Sequence, residues 1–237
     1  MFVALEPRRL YRQVAEQIRM LIDTGELPAG AKLPAERELS DRFGVSRPTV
    51  REALIVLEVE GYLQIRMGSG VYVSHKPRAS NALEPGEDSD GPFEILQARL
   101  LIESGIAEEA ARRATPESMA RINEILERME RSLDNPQVAL ACDRAFHTAI
   151  ADIIGNSALN RFTGLIYDKR MTPYFTKLAS YFEGPHTWRL ALEEHKIIRD
   201  AIAAGNPAAA REAMRLHLTL AQKRFSESFG EEPSRDD

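Results

Sequence analysis

The sequence predicts a mainly α-helical chain, in which three helices and one β-hairpin precede an all-α antiparallel bundle of six to seven helices. Two patterns predict this fold class. Apolar residues recur at helical spacing along most of the chain, whereas strand-like alternation is confined to two short neighbouring segments. The segment HKPRASNALEPGEDSDG at 75–91 is rich in Pro, Gly, Ser and acidic residues, which is typical of a linker. We therefore predict one domain over 1–74 and a second over 92–230.

The N-terminal domain is expected to begin with helices over roughly 9–24 and 35–43. Gly44 breaks the second helix, and Ser46 is a suitable N-cap for a third helix that ends near Gly61. The segments YLQIR and GVYV, separated by MGSG, alternate like the strands of a hairpin. Three helices followed by a hairpin are the layout of a winged helix-turn-helix, whose third helix enters the major groove of DNA by its N-terminal end.

Beyond the linker, the strongest helix-start signals are capping residues that precede a proline. They occur at Thr115-Pro116, Asn135-Pro136 and Asn206-Pro207. The predicted helices lie near 92–114, 116–132, 136–154, 157–182, 186–204 and 207–229, and Pro173 would divide the fourth of them. Apolar residues expected in the core of this bundle include Leu101, Ile102, Ile106, Leu126 and Ile150.

The composition excludes several classes of protein. With 43% hydrophobic and 28% charged residues, the chain resembles neither a disordered protein nor a disulfide scaffold. It contains no apolar run of membrane-spanning length and no signal-peptide segment at its start, and its single cysteine, Cys142, cannot form an internal disulfide. These features lead us to expect a cytoplasmic protein.

Charge alone does not indicate nucleic-acid binding. The net charge is −5, and residues 1–74 balance ten basic against ten acidic residues. Because DNA affinity depends on local neutralisation of phosphates, any contact must come from basic residues concentrated on one face.

The start of the predicted third helix offers such a face. Arg47 and Arg51, four residues apart, can pair with guanine or with phosphate. Ser46 and Thr49 can donate to phosphates, and Arg37 on the second helix can reach the adjacent DNA backbone. We therefore interpret this end of the helix as a DNA-reading surface.

The alternative is that these arginines are an ordinary solvated helical face. In that interpretation Arg37, Arg47 and Arg51 pair with Glu38 and Glu52, as charge runs on helices commonly do. The order of the elements favours the DNA-reading interpretation, because the basic residues fall at the predicted reading end.

The stretch from Arg8 to Val73 resembles the DNA-binding domain of the GntR family of bacterial transcription regulators. Its most specific part is LPAERELS followed by GVSRPTVREAL. Pro48 stands where some relatives have a polar residue that contacts DNA, so one contact is missing here. By this resemblance the DNA contacts fall on Arg37, Ser46, Arg47, Thr49, Arg51 and Gly68 of the hairpin.

The segment CDRAFHTAIADIIGN at 142–156 places Asp143 and His147 one helical turn apart. His195 and His217 fall in two other predicted helices, and together the four residues would make a set suited to Zn, Ni or Mn with open coordination positions. The alternative is that they never converge, because an acid and a histidine at this spacing are common on ordinary helices. His186 is expected to be a surface residue.

The stretch from Phe93 to Phe229 is similar to the FCD ligand-binding domain of the FadR subfamily. The matching motifs are EILQARLLIESGIAEEAA, DRAFHTAIADIIGN and EEHKIIRDAIAAGNPAAAREAMRLHL. The resemblance implies metal ligation by Asp143, His147, His195 and His217, and binding of an effector carboxylate by Arg99.

Two further residues are candidates for the effector pocket. Asn156 would supply a polar contact, with a helix cap as its alternative role, and Arg170 is the second candidate. Arg99 also has an alternative role, as the structural partner of Glu103.

These resemblances imply a dimeric repressor that binds a palindromic operator in double-stranded DNA and is released by a small carboxylate. The segments RRLYRQVAEQI and GPFEILQARLLIES resemble regulators of hexuronate catabolism, which implies glucuronate, galacturonate or a related sugar acid as the effector. Two alternatives remain at this point: a helical metalloenzyme acting on a small organic acid, and a ligand-binding module whose DNA domain is vestigial. The divalent metal, with zinc expected and nickel or manganese as alternatives, would serve recognition and not catalysis.

Overall fold

The computed structural model describes residues 10–66, 68–75, 92–169 and 183–227, and it is mainly α-helical as predicted. The described residues form two compact units, one within 10–75 and one within 92–225. In these described ranges no helix is both long enough and apolar enough to cross a bilayer.

The N-terminal unit has the predicted order of three helices and a hairpin. Helix α1 spans Leu10–Asp23, α2 spans Glu36–Phe43 and α3 spans Arg47–Val59. Strands β1, Leu63–Arg66, and β2, Gly70–Val73, pair antiparallel with Leu63 opposite Val73. This is a winged helix-turn-helix in which the hairpin forms the wing.

The turn between α2 and α3 follows from three local residues. Gly44 ends α2 in the left-handed region, with φ of 64°, which favours glycine. The Ser46 side chain then caps α3 by accepting a hydrogen bond from the Thr49 backbone N–H, and Pro48 occupies the first turn. Val50, Ala53, Leu54 and Leu57 form a buried stripe on α3, which packs this helix into the core of its unit.

The C-terminal unit contains six helices within the described residues. Their bounds are α4 Pro92–Arg113, α5 Pro116–Glu130, α6 Pro136–Ile153, α7 Ser157–Asp168, α8 Pro185–Ala203 and α9 Pro207–Glu227. Five agree closely with the predicted spans. The fourth predicted span, 157–182, is confirmed only over α7, which ends at Asp168; residues 170–182, with Pro173, lie outside the described residues.

The bundle core is made of the apolar faces of these helices. Ile106, Leu126 and Ile150 are buried there as predicted, and Cys142 packs in the same core. The prediction for Leu101 was wrong, since it is 78% exposed. Leu101 lies two residues from the buried Arg99 and two from the buried Glu103, and two helical residues turn about 200° around the axis, so Leu101 points to the opposite side.

Candidate functional site

The N-terminal end of α3 presents a compact set of polar groups. The Ser46 and Thr49 hydroxyls lie 2.8 Å apart, and Ser46 is exposed. The Arg47 side chain is 41% exposed. Because the backbone N–H groups at a helix start also favour anions, these groups together are suited to phosphate and base-edge contacts.

Glu36, the first residue of α2, binds two arginines of α3. Its Oε1 accepts from Arg47 Nε at 3.1 Å, and its Oε2 accepts from Arg51 Nε at 2.5 Å. Arg51 is only 5% exposed, so it lies on no solvated face, and the same burial leaves little of it accessible for the DNA contact predicted from the sequence. Glu38, the partner proposed in that alternative, pairs with Arg42 on its own helix.

Arg37 and Gly68 are both exposed, on α2 and at the hairpin tip respectively. Gly68 has φ of +67°, in the left-handed region that is costly for residues with a Cβ. A Cβ built on it would meet no described atom within 4 Å, so the tip is open enough for close approach of another molecule.

Four side chains from three helices converge inside the C-terminal bundle. Asp143 and His147 lie on α6, His195 on α8 and His217 on α9. One potential ligand atom from each lies within 4.8 Å of all the others. All four residues are buried, with exposures between 0% and 4%. The convergence predicted from the sequence is therefore present, and the cluster could hold a divalent metal ion.

The ring nitrogens in this cluster fit a bound cation. His195 Nε2 lies 3.2 Å from Asp143 Oδ1, and His147 Nε2 lies 3.8 Å from the same oxygen. Among the described residues, neither ring nitrogen of His147 or His195 has a partner with full hydrogen-bond geometry. Unpaired buried polar atoms are costly, and a metal ion bound at the Nε2 atoms would remove part of that cost.

Two carboxylates support the cluster from outside. Glu194 Oε2 lies 2.7 Å from His217 Nδ1. Glu103 Oε2 lies 2.6 Å from His147 Nδ1, a hydrogen-bond distance without full hydrogen-bond geometry. A carboxylate at Nδ1 leaves Nε2 as the coordinating atom and holds the ring in one orientation.

The other two ligands are held by aromatic residues. The fully buried Tyr167 donates its hydroxyl hydrogen bond to Asp143 Oδ2. The Phe146 ring stacks on the His195 ring, with centroids 4.1 Å apart and planes 20° apart. Each of the four cluster residues therefore has a neighbour that restricts its orientation.

Burial and nearby charges shift the pKa values of several groups in and around the cluster. Burial lowers the pKa of His217 to about 3, and burial also lowers the pKa of His195. Burial raises the pKa of Glu103, but Arg99 and His147 outweigh it and hold this pKa well below its usual range. Burial also raises the pKa of Glu194, but the hydrogen bonds with His217 and Arg224 outweigh it and lower this pKa to about 2. Neutral imidazoles are the form that binds metals.

Arg99, the candidate effector residue, lies beside this cluster and is 3% exposed. Its Nε donates to Glu103 Oε1 at 2.6 Å and its Nη2 donates to Glu103 Oε2 at 3.3 Å. The guanidinium carbon lies 4.9 Å from the centroid of the Tyr167 ring. The pairing of Arg99 with Glu103 offered as an alternative role is thus present, and the same pair contacts a potential metal ligand.

Of the other two effector candidates, the structure describes only Asn156. Asn156 is exposed, and its Oδ1 accepts from the backbone N–H groups of Ala158 and Leu159 at the start of α7. This is the helix-cap role that the sequence offered as its alternative. Arg170 lies outside the described residues.

Sequence reasoning missed the contacts of Glu194 and Tyr167 with the cluster. Glu194 precedes His195, but it contacts His217 from the next helix, and Tyr167 reaches Asp143 from α7. The signal that could have indicated Glu194 is a carboxylate directly beside a candidate ligand. No spacing in the sequence pairs Tyr167 with Asp143.

Comparisons with protein-family models agree with this two-part architecture. Residues 10–73 match the model described as bacterial regulatory proteins, gntR family. Residues 94–220, more than half of the chain, match the FCD domain.

Curated relatives match over nearly the whole chain. The Uxu operon regulator of Haemophilus influenzae is 37% identical over 230 residues, which cover 96% of this chain and 86% of the relative. The Exu regulon transcriptional regulator of Escherichia coli is 40% identical over 219 residues, covering 90% and 83%. Among solved structures, E. coli McbR/YncC is similar with a TM-score of 0.52 at 20% identity, covering 92% of this chain and 98% of that one. At 20% identity, the similarity to McbR/YncC shows a shared fold and nothing about function.

Proposed function

Because the chain belongs to the GntR family of bacterial regulatory proteins and carries an FCD domain, we propose that it is a transcription repressor released from DNA by a small carboxylate. The matched domains and the relatives are transcription regulators, so the metalloenzyme alternative is wrong. The observation that carries the effector part of the proposal is the buried cluster of one carboxylate and three imidazoles beside Arg99.

The metal site of the proposal consists of Asp143, His147, His195 and His217. Three nitrogen ligands and one oxygen ligand suit zinc, with nickel and manganese as alternatives. A bound ion would supply a positive charge and open coordination positions for an oxygen of the effector. The protein's own contribution is to bury these ligands and to hold His147 and His217 by carboxylates at their Nδ1 atoms.

Arg99 would bind the effector by its carboxylate. A guanidinium matches a carboxylate with two parallel hydrogen bonds, and Arg99 already binds Glu103 through two of its nitrogens. The Uxu and Exu regulators among the relatives support a hexuronate as this carboxylate. Arg170 remains a candidate for the same pocket, whereas the capping role of Asn156 makes it a weaker one.

On the DNA side, a homodimer would present two copies of α3 to the two halves of a palindromic operator. Arg47 would read base edges, and Ser46, Thr49 and Arg37 would contact phosphates. Gly68 would bring the wing close to the minor groove. An effector changes the affinity for DNA only through different affinities for the DNA-bound and released arrangements.

The metal site is tested by two substitutions on one helix. Elemental analysis of unchelated protein is expected to find one divalent metal ion per chain, lost in His195→Ala and kept in His186→Ala. His195 and His186 both lie on α8, but His195 is buried in the cluster and His186 is exposed. Metal retained by His195→Ala, or no stoichiometric metal in the wild type, would refute the site.

The regulatory part is tested with an operator selected in vitro. Fluorescence anisotropy is expected to show release of that DNA by D-glucuronate or D-galacturonate, and chelator should suppress the release. Arg99→Ala should bind DNA but no longer respond to either sugar acid. Loss of DNA binding in Arg99→Ala would instead assign this arginine a structural role.

A further inference from the structure

One carboxylate oxygen, Oε2 of Glu103, lies between Arg99 and the metal-ligand cluster. Arg99 Nη2 approaches it to 3.3 Å and His147 Nδ1 approaches it to 2.6 Å. Glu103 is 3% exposed, so little water is available to replace either donor. The two donors therefore share a single acceptor inside the bundle.

The contact between Glu103 and His147 is short but lacks full hydrogen-bond geometry. Glu103 also accepts from Arg99 Nε through its other oxygen, at 2.6 Å, which aligns the carboxylate with the guanidinium. The same carboxylate must therefore serve both the guanidinium of Arg99 and the imidazole of His147.

We propose that Glu103 couples carboxylate binding at Arg99 to metal binding at His147, an inference that rests on the proposed function. While Arg99 holds Glu103, the guanidinium weakens Oε2 as an acceptor for His147 Nδ1–H. A ligand carboxylate that pairs with Arg99 frees Glu103 to align with the imidazole. A stronger hydrogen bond at Nδ1 makes Nε2 a better electron donor to a metal ion.

The consequence is a positive coupling that runs in both directions. A carboxylate at Arg99 tightens metal binding, and by thermodynamic linkage the metal tightens carboxylate binding by the same factor. Glu103 acts here as a positioning residue, since it works through Arg99 and His147.

Glu194 offers a matched comparison within the same molecule. Its Oε2 also has two donors, Arg224 Nη2 at 2.9 Å and His217 Nδ1 at 2.7 Å. Glu194 thus contacts a cluster histidine as Glu103 does, but its second donor is Arg224, whereas that of Glu103 is Arg99. A variant at Glu194 should weaken the metal site without breaking the connection to Arg99.

The test is zinc titration of the full chain against a chromogenic chelator, with and without D-glucuronate or D-galacturonate. The coupling factor is the ratio of the two zinc Kd values. In the wild type we expect a factor of about 5 to 150, the usual range for coupled sites. Glu103→Gln should raise the zinc Kd about 10- to 100-fold and lower the factor, leaving only the part that comes from direct contact of the sugar acid with the metal. Glu194→Gln should raise the zinc Kd similarly but keep the wild-type factor.

Glu109→Gln is the control for a carboxylate lost from the same helix, because Glu109 pairs with Arg113 at the surface of α4. It should change neither the zinc Kd nor the coupling factor.

Three results would each overturn the proposal: a wild-type factor of one with both sugar acids, an unchanged factor in Glu103→Gln, or a lost factor in Glu194→Gln. If Glu103→Gln does not fold, Glu103→Asp keeps the charge but is too short to reach both donors, and an unchanged factor there also overturns it. A wild type that binds no zinc would instead refute the proposed function itself.

Discussion

The N-terminal end of α3 and the buried cluster of the C-terminal bundle differ in how far their polar groups are exposed to water. Ser46, Arg47 and Thr49 stand at a helix start where water already solvates them, so their polar groups are available at little cost to folding. The residues of the cluster are nearly inaccessible to water, and their polar atoms are costly unless something binds them. Substitutions in the first region are therefore expected to cost little stability beyond the cap that Ser46 provides, whereas the second region links ligand occupancy to stability.

Metal removal is expected to have the largest effect, and it tests whether the buried cluster links ligand occupancy to stability. A ligand that binds only the folded state stabilises it by about 4 kcal/mol when its free concentration is 1,000 times its Kd. We therefore expect chelation to lower the Tm by roughly 10 °C, measured by differential scanning fluorimetry with and without excess zinc. His195→Ala should show no zinc-dependent shift, and a full shift in that variant would contradict the assignment.

The second largest effect is expected from acidification of the chelated protein, which should lower its stability because His217 is buried. The pKa of His217 is lowered to about 3, against 6.5 for an ordinary histidine. Between these values the unfolded chain binds a proton at this residue and the folded chain does not, so stability falls as the pH drops below about 6.5. From pH 7 to pH 5 this amounts to about 2 kcal/mol for one such histidine. Urea titrations should show a smaller loss in His217→Gln, and an equal loss would exclude His217 as the cause.

At the exposed helix end, Arg47→Ala should weaken operator binding by about 1 to 3 kcal/mol if Arg47 reads a base, with its Tm unchanged. If it contacts phosphate, the slope of log K against log salt should instead shrink by about one. Anisotropy titrations at several salt concentrations distinguish the two results. Arg113→Ala, a change at an exposed arginine of α4, is the control and should leave binding intact. An unchanged affinity and slope in Arg47→Ala would exclude Arg47 from the interface.

The smallest expected effect separates the two roles offered for Asn156. As the N-cap of α7, Asn156→Ala should lower stability by about 1 kcal/mol while leaving the response to sugar acids intact. Asn156→Ser, which can still cap, should restore most of that stability. A weakened response to sugar acids with unchanged stability would instead support an effector contact.

Local sequence determined much of this protein by itself. Gly44, Ser46 and Pro48 lie within five residues, and they specify the end of one helix and the start of the next without help from distant parts of the chain. The proline-preceding caps at Thr115 and Asn135 likewise placed helix starts at the correct residues. Such signals can be recognised in the sequence because each depends on hydrogen bonds between near neighbours in the chain.

Tertiary structure decided the contacts between helices. The four ligand types were visible in the sequence, but only packing of α6, α8 and α9 brings their ligand atoms within 4.8 Å of one another. It also decided that Leu101 faces outward, that Glu36 holds Arg47 and Arg51, and that Tyr167 binds Asp143. The physical reason is that helical periodicity identifies a buried face but not the residue that meets it, since the partner is selected by the packing of another helix distant in the chain.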